Sequence, residues 1–241
     1  MQNFKIKNVL VLLIVAITGV LTLYFYGRSL WYPVYAKIKG RETVSSVVVK
    51  YETAVKQRLR KVFERAKLVA EYPENLTFLV FKKERKLEVW TNVENKIIFL
   101  KSYSMTAFSG KLGPKLKEGD CQIPEGIYKI IFLNPNSSYH LSMRVNYPNS
   151  FDKKMANLEQ RTDLGSDIMI HGKDATIGCI PVGDEAIEEL FIMAAKAKIH
   201  NITLLIFPQD FRTDEKITPN DRQWVNGLYL RLKNKLKEYK H

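Results

Sequence analysis

The stretch that decides this chain is D-I-M-I-H-G-K-D-A-T-I-G-C-I-P-V-G-D, Asp167 to Asp184. It holds one of the four histidines and one of the two cysteines, eight positions apart, each beside a glycine. Ile168, Met169 and Ile170 form an apolar run that stops at His171–Gly172, as a buried strand stops on a loop. Thr176, Ile177, Gly178 and Cys179 then lead through Pro181 and Gly183 into a helical pattern. A thiol held near an imidazole by a strand end and a tight turn makes a nucleophile–base pair. The same letters fit a half-buried cysteine beside a structural histidine, and spacing alone leaves both readings open.

Around that stretch lie 241 residues, enough for one sizeable domain with accessory segments. Hydrophobic residues make up 46% and charged residues 26%, which is a globular balance rather than a disordered one. Two cysteines provide no disulfide framework, so the fold must stand on its core. A formal net charge of +13 favours an anionic partner. Nucleic acid is not expected, because no zinc-finger or helix-turn-helix pattern occurs and the lysines are spread along the chain. No metal-ligand spacing is present, and neither metal nor cofactor is expected.

Residues 1–30 read as a membrane anchor or signal segment. Lys5 and Lys7 precede an uncharged apolar run from Val9 to about Tyr26, with Trp31 and Tyr32 beyond as interfacial aromatics. No small-residue cleavage site is evident, so an uncleaved single-pass anchor is the first expectation and a cleaved signal peptide the second. Residues 31–75 read as an amphipathic helical stalk, with Val48, Tyr51, Val55, Leu59, Val62, Ala66 and Val69 at steps of three and four. Residues 76–209 carry strand signals over 76–81, 87–91, 97–103, 127–133, 139–145 and 202–207. The stretch 147–165 reads as an irregular loop or lid, and Asp184 as the N-cap of a helix reaching Lys198. Residues 210–241 form a basic tail with a surface helix from Gln223 to Tyr239. About seven short strands with few helices between them predict a mainly β fold with accessory helices, an antiparallel sandwich or barrel rather than a doubly wound sheet.

The run Ile170-His171-Gly172 followed by Thr176-x-Gly178-Cys179 resembles the active-site signature of the L,D-transpeptidases, the YkuD-type domain of cell-wall enzymes. Ile123-Pro124-Glu125-Gly126-Ile127-Tyr128 is similar to that family's Pro-x-Gly turn before a strand. Asn134-Pro135-Asn136-Ser137-Ser138-Tyr139-His140 resembles a Gram-negative subgroup. The likeness spans roughly residues 76–207. Two features depart from the usual pattern: the His-to-Cys interval is short, and Ile177 stands where many members have histidine. Pro181 replaces a common arginine or asparagine, which puts any substrate contact from that position in doubt.

The resemblance implies acyl transfer through a thioester on peptidoglycan stem peptides. Cys179 is then the nucleophile and His171 the general base and acid, with an imidazolium raising the thiolate fraction. Backbone N–H groups at Gly178 and Cys179 become the oxyanion donors. Gly172, Thr176, Tyr139, His140 and Arg161 are the candidate substrate contacts, each with an ordinary structural role as the competing reading. Cys121 is expected to be a small buried side chain. Such a substrate implies a periplasmic catalytic domain tethered to the inner membrane, with a wall-attached lipoprotein as a possible further partner. Three functions follow: transpeptidation, hydrolysis of stem peptides or release of a wall-bound lipoprotein by the same chemistry, and non-catalytic wall binding.

Overall fold

The computed structural model describes residues 2–25, 27, 40–68, 72–213, 216 and 219–240, which fall into two compact units, Met1–Glu42 and Thr43–His241. The first unit contains helix α1 (Gln2–Phe25). No helix among the described residues is long and apolar enough to cross a membrane, which overturns the expected single-pass anchor and inner-membrane placement. The physical reason is length. Polar Gln2, Asn3, Lys5, Lys7 and Asn8 occupy the first two turns of the helix. The apolar remainder from Val9 rises roughly 25 Å at about 1.5 Å per residue, short of a hydrocarbon layer of about 30 Å. Tyr26, Trp31 and Tyr32, expected at an interface, lie outside the described residues, as does Val69.

The second unit begins with a reciprocal cap. Ser46 N donates to Thr43 Oγ1 at 3.0 Å and Thr43 N donates to Ser46 Oγ at 2.9 Å, which starts helix α2 (Val44–Arg65). It stops before Lys67, which takes a left-handed conformation at φ 52°, earlier than Pro73 would require. Val47, Val55, Leu59 and Phe63 form its buried stripe.

The strands are β1 (Leu76–Phe81), β2 (Lys86–Val93), β3 (Lys96–Ser104), β4 (Gly126–Ser137), β5 (His140–Val145), β6 (Met169–His171), β7 (Ile180–Pro181) and β8 (Ile202–Phe207). They join in the order β3-β2-β1-β8-β4-β5-β6-β7, a mixed half-barrel. β1 and β8 run parallel, as do β6 and β7; the other neighbours are antiparallel. The mainly β reading therefore holds, while the purely antiparallel sandwich does not. The chain reaches β8 from β7 by way of helix α4 (Asp184–Ala197).

β1 and β8 form the middle of the sheet and are covered on both sides. Phe78, Val80, Leu204 and Ile206 face one core, with α2 and α4; Leu79, Phe81, Leu205 and Phe207 face another, under helix α5 (Gln223–Leu236). Burial on both faces explains why these strands read as nearly continuous apolar runs, broken only by Thr77 and Thr203, rather than alternating ones.

β4 links the two halves. Gly126–Lys129 pairs with β8 and Ile130–Ser137 with β5, with irregular register after Ile130 and again after Asn134. Such irregularities bend a strand, here turning β5, β6 and β7 away from the central strands. Pro135, expected to break the strand, sits inside the second irregularity, where the ladder needs no N–H from it.

The stretch predicted as irregular from 147 contains helix α3 (Ser150–Leu158). Asn149 Oδ1 accepts from Phe151 N and Asp152 N, while Asp152 Oδ2 accepts from Asn149 N, a capping box readable in the letters. The long loop before β4 is tied down from beneath. Buried Lys82 donates to Gly113 O and Ile123 O and lies 2.8 Å from Glu125 Oε1, and Tyr229 donates to Glu125 Oε2 at 2.6 Å.

Candidate active site

β6 delivers His171 to the end of a short buried strand, and β7 begins one residue after Cys179. Parallel pairing of Ile170 with Ile180 and of His171 with Pro181 folds the intervening loop back on itself. The sequence interval between imidazole and thiol thus closes into one cavity of about 400 Å³, lined by His171, Cys179, Thr176, Tyr139, Lys115 and Cys121 among others.

The Thr176 hydroxyl organises the loop. It accepts from Cys179 N at 2.8 Å and Gly178 N at 3.2 Å, and donates to Cys179 O at 2.8 Å. A hydroxyl has one donor and two acceptor positions, so Thr176 is fully committed and has none left for a substrate. Both amides expected to serve an oxyanion are engaged by that oxygen in this conformation. Gly178 has a more local reason to be glycine: its φ is +130°, and a Cβ there would sit 3.1 Å from Gln122 O.

His171 is buried, and its Nδ1 lies 2.6 Å from Gly172 O. A carbonyl oxygen only accepts, so Nδ1 carries the proton and the neutral ring's lone pair is on Nε2. Gly172 thereby orients the imidazole through its main chain. It is also hemmed in, since a Cβ would lie 2.5 Å from Asp184 Oδ1 and 2.8 Å from Tyr139 O. Asp184 is not the N-cap; Gly183 takes that place, and the Asp184 carboxylate accepts from Lys173 N at 2.9 Å.

The Cys179 thiol donates towards Asp167 O at 3.6 Å. Burial pushes this thiol above its ordinary pKa and the Asp167 carboxylate adds to the effect, against a backbone hydrogen bond at Met169 and the Lys115 ammonium. Burial pushes the His171 imidazole the other way, below its ordinary value, partly offset by the Gly172 carbonyl. Both shifts favour the uncharged forms. The resting pair is neutral thiol and neutral imidazole, not the imidazolium-stabilised thiolate expected from the letters.

The expected substrate contacts divide. Tyr139 lines the cavity, its ring centroid 4.6 Å from that of His171. His140 is absent from the lining: its Nε2 bonds Glu188 Oε1 at 2.9 Å, and its ring meets Tyr51 edge-on. Arg161 is likewise occupied, by Glu159 Oε2 at 2.7 Å and Leu116 O at 2.7 Å, and stands outside this cavity. Cys121, expected to be buried, is half-buried on the cavity wall and unpaired with Cys179. Lys115 is a wall residue with no signal in the sequence; Asp120 Oδ1 holds its ammonium at 2.7 Å. The acceptors Gly172 O and Asp167 O are main-chain atoms, invisible to any reading of side chains. No group of side chains suited to a metal ion occurs among the described residues.

The profile of the L,D-transpeptidase catalytic domain, YkuD, matches residues 75–202, more than half of the chain. The protein belongs to that family. YafK of Escherichia coli K12, provisionally named an L,D-transpeptidase, is 31% identical over 134 residues, covering 54% of this chain and 52% of YafK. YafK of Escherichia coli O157:H7 aligns with the same figures, so the chain spans about half the length of the curated relatives it matches. Among solved structures, the helical cell shape determining protein Pgp2 of Campylobacter jejuni is 22% identical with a TM-score of 0.48, covering 61% of this chain and 50% of that one.

Proposed function

We propose that the protein is a cysteine acyltransferase acting on peptidoglycan stem peptides. The observation that carries this reading is the His171 tautomer: with Nδ1–H given to Gly172 O, the Nε2 lone pair is available in the cavity that also holds the Cys179 thiol. Because the resting pair is neutral, His171 acts as a true general base, taking the thiol proton as sulfur attacks. The S–C bond forms at the stem-peptide carbonyl and the C–N bond breaks. The proton on Nε2 passes to the departing amine, leaving a thioester on Cys179. An incoming amine attacks that thioester, gives its proton back through His171 to sulfur, and completes the transfer. Of the two amides held by Thr176, Gly178 N makes the longer bond and is the one to exchange Thr176 for the developing oxyanion.

The test uses the full chain with tetrapeptide muropeptides and, separately, with lipoprotein-linked sacculi, read by mass spectrometry. Cross-linked dimers and an acyl adduct on Cys179 are expected, both lost in Cys179→Ala. Shortened stems or released lipoprotein without dimers would replace transfer by hydrolysis. Binding without turnover, unchanged in Cys179→Ala, would overturn the enzymatic reading in favour of a wall-binding module.

A further inference from the structure

His140 sits next to the candidate site in sequence, yet it points away from it into an ionic cluster. On one side α4 presents Glu188, whose Oε1 accepts from His140 Nε2 at 2.9 Å and whose Oε2 accepts from Arg58 of α2 at 2.8 Å. On the other, Tyr51 of α2 meets the imidazole edge-on with ring centroids 5.7 Å apart. Glu189, the next residue of α4, is taken up by Arg58, Lys101 and Tyr103. His140 itself has φ 72°, the left-handed region, at the turn joining β4 to β5. Its neighbour Tyr139 is thereby thrown to the opposite side, where its ring lies 4.6 Å from the His171 ring and its carbonyl abuts Gly172. Ser137 Oγ holds the other end of the turn by accepting from Tyr139 N at 3.1 Å.

We propose that His140 is a positioning residue: clamped by Glu188 and Tyr51, it fixes the β4–β5 turn so that Tyr139 covers the imidazole of His171. The inference rests on the reading of Cys179 and His171 as the reacting pair. Its mechanical content is that two long helices, α2 and α4, act on the surroundings of the His171 ring through His140. Tyr139 is 43% exposed, so little but this turn holds its ring in place. His171 is 2% exposed, and its burial is what lowers its pKa. The charged and titratable groups that share the cavity with His171 are Cys179, Cys121, Tyr139, Lys115, Glu118 and Asp167, with Asp184 beside Gly172. His140 contacts none of these but its neighbour Tyr139, so a shift in His171 on replacing His140 reports the position of Tyr139.

Two substitutions separate the clamp from the turn. His140→Gly accepts φ 72° without strain but has no side chain for Glu188, whereas His140→Asn accepts the same φ and restores a donor. The His171 imidazole is titrated by NMR in the full chain, its resonance assigned with His171→Ala, and folding is checked by thermal melts. In wild type the midpoint lies below the ordinary histidine value. It is expected to move up in His140→Gly, back down in His140→Asn, and up in Tyr139→Ala. Tyr139→Ala/His140→Gly should add nothing beyond Tyr139→Ala alone, because both act through one ring. If turnover is found, kcat should fall on the order of tenfold in His140→Gly with KM little changed, the scale of a misoriented base. A wild-type midpoint in His140→Gly, or additive effects in the double variant, would overturn the proposal. Absence of turnover in wild type would overturn the proposed function and leave the NMR result to decide this one.

Discussion

Replacing Lys82 by methionine should destabilise the protein by about 3–5 kcal/mol and loosen one wall of the candidate site. Lys82 and Glu125 are both wholly buried, 2.8 Å apart, so the methionine variant strands a carboxylate in an apolar interior. Breaking a buried pair by removing one partner typically costs about that much, because the orphaned charge keeps its desolvation penalty. Lys82 also serves Gly113 O and Ile123 O, at 2.6 and 2.9 Å, and these carbonyls lose their donor. Burial already pushes the ammonium below its ordinary pKa, with Glu125 pulling it back up, so the pair stands or falls together. Glu125→Gln keeps an acceptor for Gly113 N and a partner for Tyr229 while removing the charge, and Lys82→Met/Glu125→Gln removes both charges. Urea unfolding followed by circular dichroism gives the free energies, with unchanged slopes expected. The double variant should lose less than the sum of the singles by roughly 2 kcal/mol or more. Iodoacetamide labelling reports the wall directly, since Cys121 rides on the same loop and should react faster in Lys82→Met. A single variant within about 1 kcal/mol of wild type, or strict additivity, would refute the assignment of this pair as the loop's anchor.

Three other outcomes follow from distances and shifts at the site and near it. Gly172→Ala forces a methyl against Asp184 Oδ1 and Tyr139 O, at 2.5 and 2.8 Å, and the second is main chain that cannot swing aside; a loss of about 1–3 kcal/mol and of turnover is expected in melts and product assays. Turnover should rise as pH passes the lowered pKa of His171 and hold through neutral pH up to the raised pKa of Cys179; an acid limb above the ordinary histidine value of about 6.5 would contradict the burial argument. Burial raises the Asp152 carboxyl to about 6 against hydrogen bonds from Asn149 and Tyr128. Because the folded value exceeds the unfolded one, the stabilisation is fully present below pH about 4 and is lost as pH rises through about 6. That amounts to about 3 kcal/mol at about 1.4 per unit, and Asp152→Asn should flatten this part of the stability–pH curve.

What the letters disclosed, and what they hid, separates by the range of the interaction that decides each residue. β1 and β8 were legible because five apolar residues in six, interrupted only by Thr77 and Thr203, need no partner to be recognised as buried strands. His171 and Cys179 were legible because a strand end and a turn fix their neighbourhood within a dozen residues. The choice between a substrate contact and a structural role was not legible for His140 and Arg161, for the opposite reason. Their side-chain nitrogens are taken by Glu188 and by Leu116 O, 48 and 45 positions away, and no local pattern announces such a claim. The capping box of α3 shows that some misses were avoidable, since Asn149 and Asp152 stand at the required interval. α1 shows the reverse: an apolar run is conspicuous in sequence, but spanning is decided by helical rise, and the rise falls short. Gly178 joins both lessons. Its place beside the thiol suggests an amide freed for an oxyanion, whereas the Thr176 hydroxyl two residues earlier already holds that amide and Gln122 O would crowd a Cβ there. The glycine is required by the turn itself. In the proposed reaction the developing oxyanion would therefore compete with the Thr176 hydroxyl for Gly178 N.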